Sequence, residues 1–398
     1  MKALSDIRLL ELTHMVSGPY AGMLLADLGA ETIKIEPPGG GEITRGLMTE
    51  DPRFEVNGMG PYFLSLNRNK KSVTLDLKSA EGLAIFYDLV RVSDVVLNNY
   101  RVGVVERLRV DYAQLSGINP RIITCSITGF GETGPDRELP SYDMVVQAMS
   151  GVMSITGAPE GPPARAGIPI SDVSSSLMAA VGILAALNAR SLTGLGRHID
   201  ISMLDSQISA MNYMAAIALM SGESPDRLGS AHLNHVPYDV YPCRDGHIVV
   251  GVVTDHFWEA LVEVLGLADL DTGENRSRRG RLKNRTAIDR ALSDLFVTQD
   301  RAHWLVKLRR GGVPCAPVND FMEAFAEPQV AARGMIAEVD FPERGAVRMP
   351  GNPIKMSGVG AERFTPPPAL GTHNQEVLGG LLGFSEQEVE MLEEKKVI

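Results

Sequence analysis

The stretch IRLLELTHMVSGPYAGMLLADLGAETIKIE, Ile7 to Glu36, decides how the rest of the chain is read. Its opening IRLLEL is apolar enough for a buried strand and THMVSGP is a turn. The run from Tyr20 to Leu28 reads as a helix ended by Gly29-Ala30, and ETIKIE returns as a second strand before the stop PPGGG. Strand, helix and strand within about thirty residues make the building block of a parallel sheet, because parallel neighbours need a crossover of this length. The first turn lacks GxGxxG. Without the glycines that let a pyrophosphate approach the backbone, a nicotinamide or flavin dinucleotide site is unsupported.

Working outward, the same alternation recurs. Ser72 to Leu77 is a predicted strand, Ser79 to Arg91 an amphipathic helix, Asp94 to Asn98 and Arg121 to Thr128 strands, His198 to Met203 a strand, and Asp205 to Leu219 a helix. This pattern predicts an α/β, doubly wound domain on a parallel sheet. Beyond Ser221 the character changes. VPYDVYPC and HIVVGVV form a hairpin across Arg244-Asp245-Gly246, and helices follow at about His256 to Leu265, Thr286 to Phe296 and Asp300 to Arg309. The expected layout is therefore a large domain over residues 1–220, a smaller α+β domain over 221–325, and a return segment over 326–398. In that last part Met322 to Arg333 reads as helix, Ile336 to Ser357 as strands around Glu343-Arg344-Gly345, and the tail from Ser385 as a terminal helix.

Composition bounds the chemistry. With 398 residues, 44% hydrophobic and 22% charged, the chain has room for two domains. A net charge of -11 argues against a nucleic-acid partner, so an anionic ligand must be met by local basic clusters. Cys125, Cys243 and Cys315 lie far apart with no CxxC pair, which fits a reducing compartment and supplies no metal site. The N-terminus has two acids before its first apolar run. The only apolar stretch near membrane-spanning length is rich in Ser and Gly, so the expectation is a cytoplasmic protein with no signal peptide and no membrane partner.

Three stretches carry candidate chemistry. GIPISDVSSSLMAAVGILAAL, Gly167 to Leu187, is a helix expected to be buried on most sides, with Asp172 at its head. The plain reading of Asp172 is an N-cap, its charge favoured by the helix dipole. The functional reading is a nucleophile, since a carboxylate held against an apolar wall is suited to covalent catalysis. LNRNKKS (Leu66 to Ser72) places Arg68, Lys70 and Lys71 before a strand, and NNYRVGVVERL (Asn98 to Leu108) places Asn99, Tyr100, Arg101 and Arg107 after one. Either charge run alone reads equally well as a solvated face. Together, at one sheet, they favour a phosphorylated carrier that is bound and not cleaved, with Tyr100 covering a purine ring and His14 donating from the first turn.

Read with LTHMVSGPYAGMLLADLGAETIKIEPPGGG, ITGFGETGP, SYDMVVQAMSGVMSITG and TGLGRHIDISMLDS, these blocks resemble, in order and spacing, the family III CoA transferases. That group includes formyl-CoA transferase, carnitine CoA transferase and the α-methylacyl-CoA racemases. The resemblance implies a Rossmann-like large domain, a small domain, and two chains threaded through one another as an interlocked homodimer. It implies acyl-CoA and a small carboxylic acid as substrates, with no tightly bound cofactor. Residue by residue it implies Asp172 as nucleophile and His14, Lys70, Lys71, Asn99, Tyr100, Arg101 and Arg107 as CoA contacts. Val16 stands where formyl-CoA transferase has a glutamine, with Ser17 beside it, and both are carried into the CoA site. Pro37 replaces an arginine and Val102 a proline, which redistributes phosphate binding. The tetraglycine loop is absent from 221–239, so oxalate and formyl-CoA fit poorly.

The implied mechanism has Asp172 form a mixed anhydride and then an aspartyl-CoA thioester, with the backbone N–H groups of Val173 and Ser174 holding the oxyanion. The acid is expected to be a dicarboxylate, clamped by Ser174, Ser175, Ser176, Tyr142, His235, Tyr238 and Arg165. Two alternatives remain. A racemase would use the pair matching Tyr142-Asp143 with Asp172, although tyrosine, with a pKa of about 10, is a poor base at neutral pH. A CoA-binding subunit of a hetero-oligomeric transferase is the other.

Overall fold

The computed structural model describes residues 2–342, 344–359 and 363–398. The opening unit is β1 (Arg8–Leu12), α1 (Ser17–Asp27) and β2 (Glu31–Glu36). α1 starts three residues before the sequence reading places it, because Pro19 lies in the first turn, where a missing N–H leaves no bond unmade. A Cβ built on Gly18 would fall 2.4 Å from Thr13 Cγ2, so only glycine lets the helix begin this close to the end of β1.

The chain continues through α2 (Pro61–Leu66), β3 (Lys70–Thr74), α3 (Ala80–Arg91), β4 (Val95–Asn98), α4 (Val104–Leu108), α5 (Tyr112–Ile118) and β5 (Ile123–Thr128). Then come α6 (Asp143–Met149), α7 (Val152–Ile155), α8 (Ile170–Thr193), β6 (His198–Ser202), α9 (Met203–Ala210) and α10 (Asn212–Ser221). The single helix expected from Asp205 is thus two, broken where Asn212 takes a φ of 49°. All six strands are parallel, in the order β3-β2-β1-β4-β5-β6. Succession reverses between β1 and β4, and the crevice beyond the C-terminal ends of these two strands is where such sheets hold ligands.

Alternate residues along each strand feed the two faces. Leu10, Ile33, Val73 and Val96 pack under α3 and under the C-terminal helices bearing Val377 and Leu392. Leu9, Val95, Leu97 and Ile127 pack under α1 and α8 through Leu25, Ala179 and Ile183. α8 is long and apolar enough to cross a membrane by length and composition. It is not buried on most sides as the sequence suggested: one stripe meets the sheet, and Leu177, Met178, Val181 and Leu184 are exposed.

The chain forms two compact units, one of Met1–Val152, Arg165–Glu223 and Ala331–Ile398, the other of Met153–Ala164 and Ser224–Val330. No feature of the sequence marked the excursion Met153–Ala164. In the second unit an antiparallel hairpin, Tyr238–Cys243 with Gly246–Gly251, takes Cys315–Pro317 as a third strand and packs on Trp258, Ile288, Phe296 and Trp304. In the first, Ile336–Phe341 pairs with Gly345–Pro350. Glu343, expected in their turn, lies outside the described residues. The helix expected from Met322 breaks at Pro328 into Phe321–Ala326 and Pro328–Ala332.

Candidate active site

Asp172 is the third residue of α8. Pro169 precedes the helix and offers no side-chain cap, so the reading of Asp172 as N-cap is corrected. The cap comes from Asp143, the first residue of α6, whose Oδ1 accepts from the Ser171 N–H at 2.8 Å and the Asp172 N–H at 3.4 Å. Burial first, and the negative charge of Asp143 second, push the Asp172 carboxyl up to about 7. The helix terminus does not keep it fully ionised at neutral pH. The Val173 N–H donates to the Pro169 carbonyl at 3.0 Å, and Ser174 N–H is in sequence for the next helical bond, so neither is available to an oxyanion. The three serines expected to clamp an acid turn back on the backbone. Ser174 Oγ donates to Ser171 O, Ser175 Oγ to Asp172 O, and Ser176 Oγ to Ser17 O at 2.6 Å.

A cavity of about 150 Å³ opens at the C-terminal ends of β1, β4 and β5. Of the residues chosen from sequence it brings together His14, Ser17, Asn99, Tyr100, Arg101, Tyr142 and Asp172. Asn99 clips the two crevice loops: its Oδ1 accepts from the His14 N–H at 2.9 Å and its Nδ2 donates to the His14 carbonyl at 2.7 Å. With its carboxamide engaged, it shapes the crevice more than it reaches into it. Burial lowers the His14 pKa and raises that of Tyr100, so both rings are neutral at pH 7. Their centroids lie 5.8 Å apart.

Val16, Lys70, Lys71, Arg107 and Asp143 are among the chosen residues that do not line this cavity. Lys70 is the clearest correction. It is buried, with its Nζ 2.8 Å from Glu11 Oε2 and donating to Pro19 O and Asn67 Oδ1, each at 2.9 Å. Burial pulls its pKa down to about 8. Lys71 bridges Glu31 at 2.7 Å and Glu376 at 2.8 Å, and Arg68 pairs with Asp27 at 2.6 Å. The cause is strand direction: these residues enter β3 at its N-terminal end, opposite the crevice. Arg107 sits exposed on α4, while Val16 is the residue before α1.

Sequence reasoning missed Arg137, Leu139 and Ser141, which line the cavity from the loop between β5 and α6. The signal was present, because that loop leaves the C-terminal end of a sheet strand. A Cβ on Gly129 would fall 1.9 Å from Ser141 Oγ, so glycine is what lets the loop fold back over the crevice. His235 and Tyr238 belong to the second unit, and Arg165 lies seven positions before Asp172 in the first.

Residues 4–374 match CoA-transferase family III. The chain belongs to this family. It is 37% identical over 393 residues to succinyl-CoA:glutarate CoA-transferase of Mus musculus, covering 98% of this chain and 89% of that protein. It is 42% identical over 354 residues to acetyl-CoA:oxalate CoA-transferase of Acetobacter aceti, covering 88% of each. Among solved structures, a CAIB/BAIF family protein from Brucella suis superposes with a TM-score of 0.85 at 34% identity, covering 96% of this chain and 99% of that one. This family III member is accordingly a CoA-transferase.

Proposed function

We propose that this CoA-transferase moves CoA from succinyl-CoA or a close analogue to a small dicarboxylic acid, with Asp172 as the covalent carrier. The observation that supports this most is a partly buried carboxyl with a pKa of about 7 lining the same cleft as two arginines, Arg101 and Arg137. In the first step the ionised Asp172 attacks the thioester carbonyl. The C–S bond breaks, leaving a mixed anhydride and CoA thiolate. The thiolate attacks the aspartyl carbonyl, the donor acid leaves as its carboxylate, and an aspartyl-CoA thioester remains. The acceptor carboxylate then attacks that thioester, and the released thiolate takes the acceptor's acyl carbon, restoring Asp172. Each step exchanges one acyl–oxygen or acyl–sulfur bond for another, and no proton need be moved at carbon.

Arg101 supplies a cation for a CoA phosphate and Arg137 one for the distal carboxylate of the acid. With the backbone donors of α8 engaged, Tyr142, which lines the cleft and carries a hydroxyl, is the donor assigned to the developing oxyanion. Asp143 acts on the reaction through α8, as its cap. The homodimer belongs to the same reading: the exposed apolar stripe of α8, with Ile208 and Tyr213 also exposed on α9 and α10, suits a second copy, and a folded monomer by light scattering would remove that part.

The test is a panel of free acids offered with succinyl-CoA and acetyl-CoA, following new thioesters by mass spectrometry. Oxalate, set aside on sequence, returns to the panel because the Acetobacter relative is named for it. New thioesters of glutarate, mesaconate or oxalate, absent with Asp172→Ala, are expected. Reaction of branched monocarboxylates alone overturns the dicarboxylate reading, and turnover by Asp172→Ala overturns the carrier.

A further inference from the structure

α8 begins without a cap of its own, and the group that replaces it is itself held from behind. Gln147, on α6, is completely buried. Its Nε2 donates to Asp143 Oδ2 at 2.6 Å, while its Oε1 accepts from the Ala166 N–H at 2.9 Å. The other oxygen of Asp143 caps Ser171 and Asp172, and Ser171 Oγ donates back to the Asp143 carbonyl at 3.3 Å. One carboxamide therefore grips both sides of the residues 167–169 that lead into α8: the chain before them at Ala166, and the first turn after them through Asp143.

The geometry points to Gln147 as a positioning residue for the transfer reaction, fixing through Asp143 where the Asp172 carboxylate stands in the cleft. The inference rests on Asp172 being the carrier. A side chain that must donate at one end and accept at the other is met by glutamine and not by its neighbours in size. Methionine fills the space with neither bond, and an ionised glutamate keeps the acceptor for Ala166 but meets Asp143 with a second negative charge. Two carboxyl groups at this separation hold a shared proton, so glutamate regains the donor only as pH falls.

Gln147→Met is expected to lower kcat about tenfold to a hundredfold while KM for acyl-CoA stays within about twofold, because nucleophile placement suffers and the phosphate contacts do not. Gln147→Glu is the sharper variant and differs from wild type by little in volume. Its kcat relative to wild type at the same pH is expected to be lowest near pH 8 and to rise as pH falls and the two carboxyls come to share a proton. A purely structural role would lower that ratio by the same factor at every pH. Unchanged kcat in a folded Gln147→Met overturns the inference, and so does a flat activity ratio for Gln147→Glu if the methionine variant does not fold. If Asp172→Ala is inactive while both Gln147 variants behave as wild type, this inference alone fails. If Asp172→Ala turns over, the carrier reading fails with it.

Discussion

Two short basic stretches, Leu66 to Ser72 and Asn98 to Leu108, look alike on paper and end in opposite environments. In the first, Arg68, Lys70 and Lys71 are all taken up by carboxylates of the fold. In the second, Tyr100 and Arg101 face the cleft. The difference is which end of a parallel strand the stretch occupies: one precedes β3 and the other follows β4. Lys70 still serves the site, from beneath. Together with Lys34, which donates to Thr13 O at 2.8 Å while Lys70 donates to Pro19 O, it holds the backbone on both sides of the His14 turn. Glu11, buried and shared by both lysines, completes the group.

The largest effect should come from breaking that group. Lys70→Met leaves Glu11 facing a single lysine in a dry interior, and losing one partner of a buried pair costs about 3–5 kcal/mol. Chemical denaturation is the measurement, with a marked loss of stability expected. A Lys70→Met protein of unchanged stability but raised KM for acyl-CoA would return the first stretch to the ligand. Next in size is Arg101→Ala, where a lost charge-assisted contact is worth about 1.5–3 kcal/mol. KM for acyl-CoA should rise steeply with no change in Tm. Arg107→Ala, six residues further on and outside the cavity, should leave KM within about twofold, since an exposed charge contributes little. Equal effects from the two arginines would erase the distinction between facing the cleft and merely following the strand.

How far the sequence revealed this follows the same line. The parallel sheet was legible because strand, helix and strand alternate with periods that backbone geometry enforces, and β2 falls on the residues read as ETIKIE. His14, Tyr100, Arg101, Tyr142 and Asp172 were legible because motifs at the C-terminal ends of strands converge on one crevice. Hidden from it was everything decided by which partner a side chain finds across the fold. Nothing in KK tells the buried Lys70 from the half-exposed Lys71, and nothing in SDVSSS says that the serines bond to their own helix. Asp143 capping a helix that starts 27 residues later is a contact no local pattern encodes.

Two carboxyls, Glu11 fully buried and Asp172 partly so, carry the comparison into pH. Burial alone would raise both. At Glu11, Lys70 and Lys34 overcome it and hold the carboxyl below the usual carboxylate range, whereas at Asp172 the neighbour is the like charge of Asp143 and the carboxyl rises from 3.8 to about 7. A carboxyl whose folded pKa is raised stabilises the fold below its unfolded value and loses that contribution as pH climbs through the folded one. Through Asp172, stability should therefore decline between pH 3.8 and about 7. Reactivity should run the other way, because only the carboxylate attacks: kcat/KM for acyl-CoA should climb with pH and level off above about 7. Asp143→Asn separates the two causes. The asparagine Oδ1 can still accept from Ser171 and cap α8, while its Nδ2 replaces the oxygen that accepted from Gln147, so kcat should fall with that lost contact at every pH. The like charge is gone as well, so the acidic limb should move to lower pH and stop short of an ordinary aspartate, burial being untouched. A limb that stays in place would mean that burial alone sets the Asp172 pKa and that Asp143 serves only as a cap. A limb already near 4 in the wild type would mean that the carboxyl meets water or a cation in the working enzyme, and the contrast with Glu11 would then vanish.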